Sequence, residues 1–414
     1  MSGRDVLVLS KWNGGGVRFA ARAVRDQGFR PVLVSALPED LNRDSCDGHV
    51  VLDWDRADEE AGLAELERLL AAAAVEPVAV VNMVEALIPW QIRIAERYGL
   101  PGAEPGRRVL LSKLSLRRTM AAAGLSRLGH AGGPAAGIDP DAVDFYPAVV
   151  KPSRESGASR LVRRVGGPAE LRDHLAEIGR QLGPDVEVVV EEFIDGVEFS
   201  VDGPVVAGRF TGALVVEKPD HDGALLHDAG LLVSPPQDPR VAAGAEHLIA
   251  LVDRVCAELA LDHGWLHVEG RARADGTAEL IEINPRPGGG TYRSAVRHAT
   301  GTDPVAALVR MALPGGWVPP AAAEAGRSAE ARLLFGMLPV EARAVGRVVA
   351  ETTGADLTAL PGVLDGYVLD GYRVESLDGE NFFSMTLFTA DDLPALRAIS
   401  DRVRSTLRFR VESD

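Results

Sequence analysis

Residues 264–290, GWLHVEGRARADGTAELIEINPRPGGG, hold two runs of alternating polar and apolar residues on either side of Asp275-Gly276. Such alternation marks strands, and Asp-Gly is favoured in a two-residue type I′ turn, so the segment is expected to be a β-hairpin. With that loop Ala274 pairs with Thr277, and counting outward sets Glu269 opposite Glu282 and His267 opposite Asn284. Opposed residues share a face, and two carboxylates about 5 Å apart repel unless a cation lies between them. Glu269, Glu282 and Asn284 supply only oxygen donors, a set suited to magnesium with phosphate oxygens completing its shell. A solvated acidic face on an edge hairpin explains the same residues, and the hairpin alone leaves both readings open. His267 reads as a packed or hydrogen-bonded neighbour, because imidazole matches magnesium poorly.

Two further stretches carry polar side chains at strand ends. VVKPSRESGAS (149–159) places Lys151 before a loop with Ser153, Ser156, Gly157, Ala158 and Ser159, whose N–H and hydroxyl groups could wrap a polyphosphate. No GxxxxGK[ST] motif occurs, and taken alone the stretch is more simply a Ser/Gly turn. Lys113 in LLSKLSLRRTM taken alone is a solvated helix charge. EEFIDGVEFSVDG (191–203) combines Glu191, Glu192 and Ile194 with Glu198. A carboxylate there can accept an adenine amine, the backbone near Ile194 can pair with the ring, and Glu198 can accept ribose hydroxyls. A charged strand edge is the plainer alternative.

The elements that would carry these residues follow from periodicity. Strands at 6–10, 31–35 and 79–83 alternate with helices over 17–28, 59–74 and 85–98, the last closed by Gly99, and together predict a small parallel α/β domain. A helix at 112–123 leads into a Gly/Pro/Ala loop at 129–140. Strands at 147–152, 160–165 and 186–194 follow, with a helix at 168–182, which is an α+β pattern. Beyond a helix at 240–260 and the hairpin, a linker at 313–326 precedes a last lobe with strands near 332–338, 345–351, 364–369 and 382–389 and a helix at 391–407.

The chain has 414 residues, 46% of them apolar, enough for two to four domains and a cleft between them. Its net charge of −16 disfavours nucleic acid and anionic membrane as partners. Cys46 and Cys256 form no CxxC and no disulfide framework, which fits a reducing, cytoplasmic setting. No apolar run has the pattern of a signal peptide or membrane span.

In their order along the chain, Lys113, Lys151 with its Ser/Gly loop, Glu191 to Ile194 with Glu198, His267-x-Glu269 and Glu282-x-Asn284-Pro-Arg286-x-Gly-Gly-Gly resemble the ATP-grasp superfamily of carboxylate–amine ligases. Within it, ExNPRPGGG most resembles bacterial L-amino-acid ligases that make dipeptides, and their relatives in specialised metabolism. The resemblance spans 105–313. It implies an N-terminal domain at 1–104, an ATP-grasp domain at 105–313 with a lid at about 120–190, and a C-terminal α+β lobe at 325–414. It also implies that Lys113, Lys151, Ser156, Gly157 and Ser159 contact ATP phosphates while Glu191, Glu192, Ile194 and Glu198 hold adenosine. Glu269, Glu282 and Asn284 would bind two magnesium ions, replaceable by manganese. Arg286 would stabilise the reacting carboxyl and phosphoryl oxygens, and the turn at Gly288, Gly289 and Gly290 would bring backbone donors to the intermediate.

The implied reaction joins a small carboxylate and an amine, both expected to be amino acids, through an acyl phosphate in a homodimeric enzyme. One element departs from the ligase pattern. Where several amino-acid ligases carry Glu-x-x-His before a Pro-rich turn, this chain has Asp228-Ala229-Gly230-Leu231 before Ser234-Pro235-Pro236, with His227 or His221 as substitutes for the histidine and Asp228 and His227 as the candidate bases. The rivals are an ATP-grasp carboxylase-type enzyme acting on bicarbonate and a nucleotide-binding regulatory protein without turnover. A dinucleotide oxidoreductase suggested by Asn13-Gly14-Gly15-Gly16 lacks GxGxxG spacing and an acid ending the second strand.

Overall fold

The computed structural model describes residues 4–11, 16–55, 59–154, 158–219, 228, 230–317 and 333–413. Asn13, Gly14, Gly15, Ser156, Gly157, His221, His227 and linker residues 318–326 lie outside them.

Four short apolar runs form a parallel sheet from β1 (Asp5–Ser10), β2 (Arg30–Ser35), β3 (Gly48–Val51) and β4 (Pro77–Asn82), in the order β3-β2-β1-β4. β1 is buried along its whole length, as a parallel strand covered on both faces should be. Helices α2 (Glu59–Ala72) and α3 (Ile88–Tyr98) cover one face, and α1 (Gly16–Asp26) with α8 (Pro304–Ala312) covers the other. Gly99 caps α3 with φ +64, a left-handed conformation that suits glycine.

A second, antiparallel sheet joins β5 (His130–Pro134), β6 (Ala148–Pro152), β7 (Arg163–Val165) and β8 (Glu187–Glu192) in the order β5-β8-β6-β7, with α5 (Pro168–Leu182) packed on it. β5 lies where a loop was expected. Its HAGGP sequence hides a strand, yet an edge position tolerates proline, and glycine is needed at 132, where a Cβ would stand 2.7 Å from the Val188 carbonyl oxygen.

The largest sheet is antiparallel and nine-stranded. β9 (Val197–Val206), β11 (Leu214–Lys218), β12 (Leu232–Ser234), β13 (His263–Ala272) and β14 (Ala278–Asn284) form it together with β15 (Leu334–Glu341), β17 (Val363–Val368) and β19 (Phe382–Ala390). Its order is β14-β13-β9-β11-β12-β15-β19-β17, with β10 (Arg209–Phe210) beside β9. Pairing of β12 with β15 makes the C-terminal segment continuous with the central sheet. That segment also builds a small sheet from β16 (Gly346–Ala350), β18 (Arg373–Val374) and β20 (Phe409–Glu412). Helix α6 (Pro239–Glu258) buries Val241, Leu248 and Val252 against the β9–β13–β14 face.

The hairpin turn differs from the expected one. Arg273 and Thr277 close it and Gly276 has φ +79, so the loop has three residues and a left-handed glycine. That loop sets Ala272 opposite Ala278, one step away from the expected register. A bulge then intervenes between Glu269 and Gly270, leaving Ile281 as the extra residue, and restores Glu269 opposite Glu282 and His267 opposite Asn284.

Among the described residues no helix is long and apolar enough to cross a membrane. Cys46 and Cys256 are free thiols, and burial pushes each up to about 12, which keeps them protonated and unreactive at neutral pH.

Candidate active site

The hairpin, β9 and β11 lie side by side, and their register aligns polar residues in rows. Lys218 of β11 and Arg271 of β13 flank Glu198 of β9 in one row. Two residues along, Ser200 pairs with Glu269, which faces Glu282, and two further, Asp202 pairs with His267, which faces Asn284. Because side chains alternate with period two, these rows share one face of the sheet. That face forms one wall of a cleft, and the second sheet supplies Lys151 of β6 and Glu191 of β8 from across it.

Of the expected residues, Lys113, Lys151, Ser159, Glu191, Glu192, Ile194, Glu198, Asp228, Glu269, Glu282, Asn284, Arg286 and Gly289 all line this cleft. Ser156 and Gly157 lie outside the described residues. Lys113 begins α4 (Lys113–Ala122), whose start is fixed by the Ser112 hydroxyl accepting from the Ser115 N–H at 3.0 Å. Its ammonium meets Glu282 Oε1 at 3.0 Å. Burial pulls that ammonium down, but Glu282, with Glu85 and Glu191, outweighs it and holds Lys113 above the usual lysine range.

Lys218 is buried and pairs with Glu269 Oε1 at 2.7 Å, Asp228 Oδ2 at 3.0 Å and Glu198 Oε1 at 3.5 Å. Burial opposes its charge, yet the carboxylates keep it well above the ordinary value. Glu269, also pushed up by burial, is held well below its ordinary value by Lys218 and His267. His267 donates from Nδ1 to Asp202 at 2.6 Å, and although burial disfavours its charge, Asp202 and Glu269 push it up to about 9. Asp202 also accepts from Trp265 Nε1 at 3.1 Å and from the Gly288 N–H at 2.9 Å.

Two expectations change here. Glu191 gives Oε2 to Lys151 and Oε1 to Arg117, each at 2.8 Å, so it anchors two cations and is not an open acceptor for a nucleobase amine. Gly288 spends its N–H on Asp202, so the donors it was expected to offer an intermediate are already taken. Glycine is still required at 288, where a Cβ would lie 2.7 Å from the Tyr292 ring. Gly289 faces open space in the cleft wall. Arg286 reaches the cleft and donates to the Pro287 carbonyl at 3.1 Å.

Lys218, Arg271, Glu85 and Glu380 also line the cleft without having been anticipated. Arg271 donates to the Ile194 carbonyl at 3.1 Å and lies over the Phe193 ring at 5.0 Å. It stands two residues after Glu269 on the same strand, so the alternation that paired the acids also carried its signal. Lys218 closes LVVEK, where only burial distinguishes it from an ordinary strand-end lysine. Glu380 accepts from the Asp228 N–H at 2.6 Å, a contact 152 residues apart in sequence.

The donor set suits a hard divalent cation. Glu269 and Glu282 each have one oxygen paired with a different lysine, which offsets part of their charge, and the Asn284 amide adds a neutral oxygen.

Residues 144–295 match the ATP-grasp domain family. Carnosine synthase 1 of Gallus gallus is 28% identical over 349 residues, covering 76% of this chain and 35% of its own length. Carnosine synthase 1 of Homo sapiens is 26% identical over 351 residues, covering 75% of this chain and 40% of its own. The chain therefore spans between 35% and 40% of the length of these curated relatives. Among solved structures, the L-amino acid ligase from Bacillus licheniformis aligns over 100% of both chains with a TM-score of 0.80 at 18% identity.

Proposed function

We propose, from the premise that this chain is an ATP-grasp protein by its fold and its domain at residues 144–295, that it is an ATP-dependent carboxylate–amine ligase. It forms an amide through an acyl phosphate and releases ADP and phosphate. The observation that carries this reading is the convergence of Lys113, Lys151, Arg286 and the Glu269–Glu282–Asn284 donor set on one cleft.

Each side chain has a task that its surroundings suit. Lys113 and Lys151 are each ion-paired with a carboxylate and bind phosphate oxygens. Glu198 accepts from ribose hydroxyls, and the backbone at Ile194 borders the base. Glu269, Glu282 and Asn284 would hold magnesium, which when bound neutralises phosphate charge, with two ions and replacement by manganese as the working stoichiometry. Arg286 spans carboxyl and phosphoryl oxygens with its planar fork as negative charge gathers there. Gly289 leaves room beside them for the substrate to approach. Asp228, paired with Lys218 at the cleft, is placed to attract the incoming amine or to take its proton. The β5–β8 sheet closes over the nucleotide and keeps water from the acyl phosphate.

The carboxylate and amine are small molecules, with amino acids the first to try. A homodimer in the cytoplasm, with neither nucleic acid nor membrane as partner, is the setting we propose. The test is ADP and phosphate release over a matrix of carboxylates and amines, with bicarbonate included. Turnover that needs both an acid and an amine supports the ligase. AMP and pyrophosphate as products, or turnover driven by bicarbonate alone, would overturn it.

A further inference from the structure

Arg117 lies in the middle of α4, one helical turn after Lys113, with its side chain 2% exposed. It does not line the cleft, and no role in the reaction falls to it above. Its guanidinium nevertheless donates to four oxygens on three separate parts of the fold. They are Glu191 Oε1 at 2.8 Å, Glu279 Oε1 at 3.0 Å, Ser126 Oγ at 3.3 Å and the Leu280 carbonyl at 2.7 Å.

Two of those oxygens bear on the cleft. Glu191 holds Lys151 at 2.8 Å with its other oxygen, so the position of that ammonium depends on how Glu191 is fixed. Leu280 adjoins Ile281, the extra residue of the β14 bulge. Continuing the register of the turn without that bulge would set Glu282 opposite Val268, on the face away from Glu269. A bulge disrupts the ladder locally, and a guanidinium that accommodates the adjacent carbonyl stabilises it. Glu279 and Ser126 fix the rest of the fork, since Ser126 Oγ donates to Glu279 Oε1 at 2.7 Å.

We propose that Arg117 is a positioning residue for the reaction, setting Lys151 through Glu191 and Glu282 through the Leu280 carbonyl, and so holding β8 and β14 in mutual register. The inference rests on the ligase reading, because it assigns Lys151 to ATP. A lysine at 117 keeps the charge but lacks the planar fork that serves these oxygens together.

The test is a double-mutant cycle on ATP affinity, measured by calorimetry at one saturating magnesium concentration, using wild type, Arg117→Lys, Lys151→Ala and the double variant. Arg117→Lys is expected to weaken ATP about tenfold in the wild-type background and less than twofold once Lys151 is gone. In the intact enzyme it should also raise the magnesium concentration for half-maximal turnover. A merely structural arginine would lower the melting temperature and leave the two affinity effects additive. Additive effects, or wild-type affinity in Arg117→Lys, overturn this inference alone. Absence of ATP binding by the wild type overturns the ligase reading and this inference with it. Should Arg117→Lys fail to fold, Glu191→Gln carries the test, with a several-fold loss of ATP affinity expected and an unchanged affinity overturning the role.

Discussion

Two clusters of buried charge face each other across the cleft, and the group at the centre of each has the opposite sign. Around Lys218, the carboxylates of Glu198, Asp228 and Glu269 share one ammonium. Around Glu191, the cations of Arg117 and Lys151 share one carboxylate. Burial makes either cluster costly unless the charges compensate. The first keeps surplus negative charge on the side where Glu282 also stands, a wall suited to further cations. In the second, Glu279 also pairs with Arg117, and the cation turned to the cleft is Lys151, which suits phosphate oxygens. A nucleotide with its metal ions joins them by complementing both.

If that contrast is functional, each wall should fail in its own way. Glu282→Gln keeps shape while removing charge, so the largest effect is expected there. Turnover should fall by at least about two orders of magnitude, with a lower melting temperature as well, because the buried Lys113 ammonium loses its carboxylate partner. Near-wild-type turnover at limiting magnesium would show that the hairpin is not the metal site. Arg286→Lys should lose about two orders of magnitude in kcat with ATP affinity little changed, since an oriented donor to developing charge is removed. A fully active Arg286→Lys enzyme would refute the role given to that fork.

On the opposite wall the losses should appear in binding. Lys151→Ala is expected to weaken ATP by roughly tenfold, the scale of one charge-assisted hydrogen bond. Back on the Lys218 wall, Glu198→Ala should erode selection of ribose over deoxyribose. Competition calorimetry with ATP and deoxy-ATP checks both.

The smallest expected effect is on acid stability. Burial raises the Glu191 carboxyl, but Lys151 and Arg117 outweigh it and hold the group at about 2 against an ordinary 4.5. A depressed carboxylate stabilises the fold above its unfolded value and loses that contribution as pH falls through its folded value. The melting temperature should therefore drop between about pH 4.5 and pH 2, and Glu191→Gln should flatten part of that drop while lowering stability at pH 7. An identical pH profile in the variant would mean that the two cations do not depend on this carboxylate.

The two walls also differ in how far sequence reveals them. The hairpin was legible because alternation and Asp-Gly are local signals. Its register came out right although the loop holds three residues, because the Ile281 bulge returns the step that the longer loop removes. A bulge leaves little trace in single-sequence alternation. Lys113 and Lys151 were legible through their order along the chain. Arg117 was not, since a helix in LLSKLSLRRTM presents it like any solvated arginine, and its partners at 191 and 279 lie 74 and 162 residues away. Lys218 and Glu380 were hidden for the same reason, because the strand pairings that enclose them are non-local. β5 escaped because glycine and proline, which signal loops, also serve edge strands.

Central to this account is the transfer of the γ-phosphoryl group to a carboxylate. Oxygen-18 placed in both carboxyl oxygens of whichever acid elicits amine-dependent ADP release reads that step directly. The attacking oxygen stays with phosphorus when the amine displaces it, so the released phosphate should carry one labelled oxygen for each amide formed. Released phosphate without label, at the same amide yield, would contradict the acyl phosphate and the function built upon it.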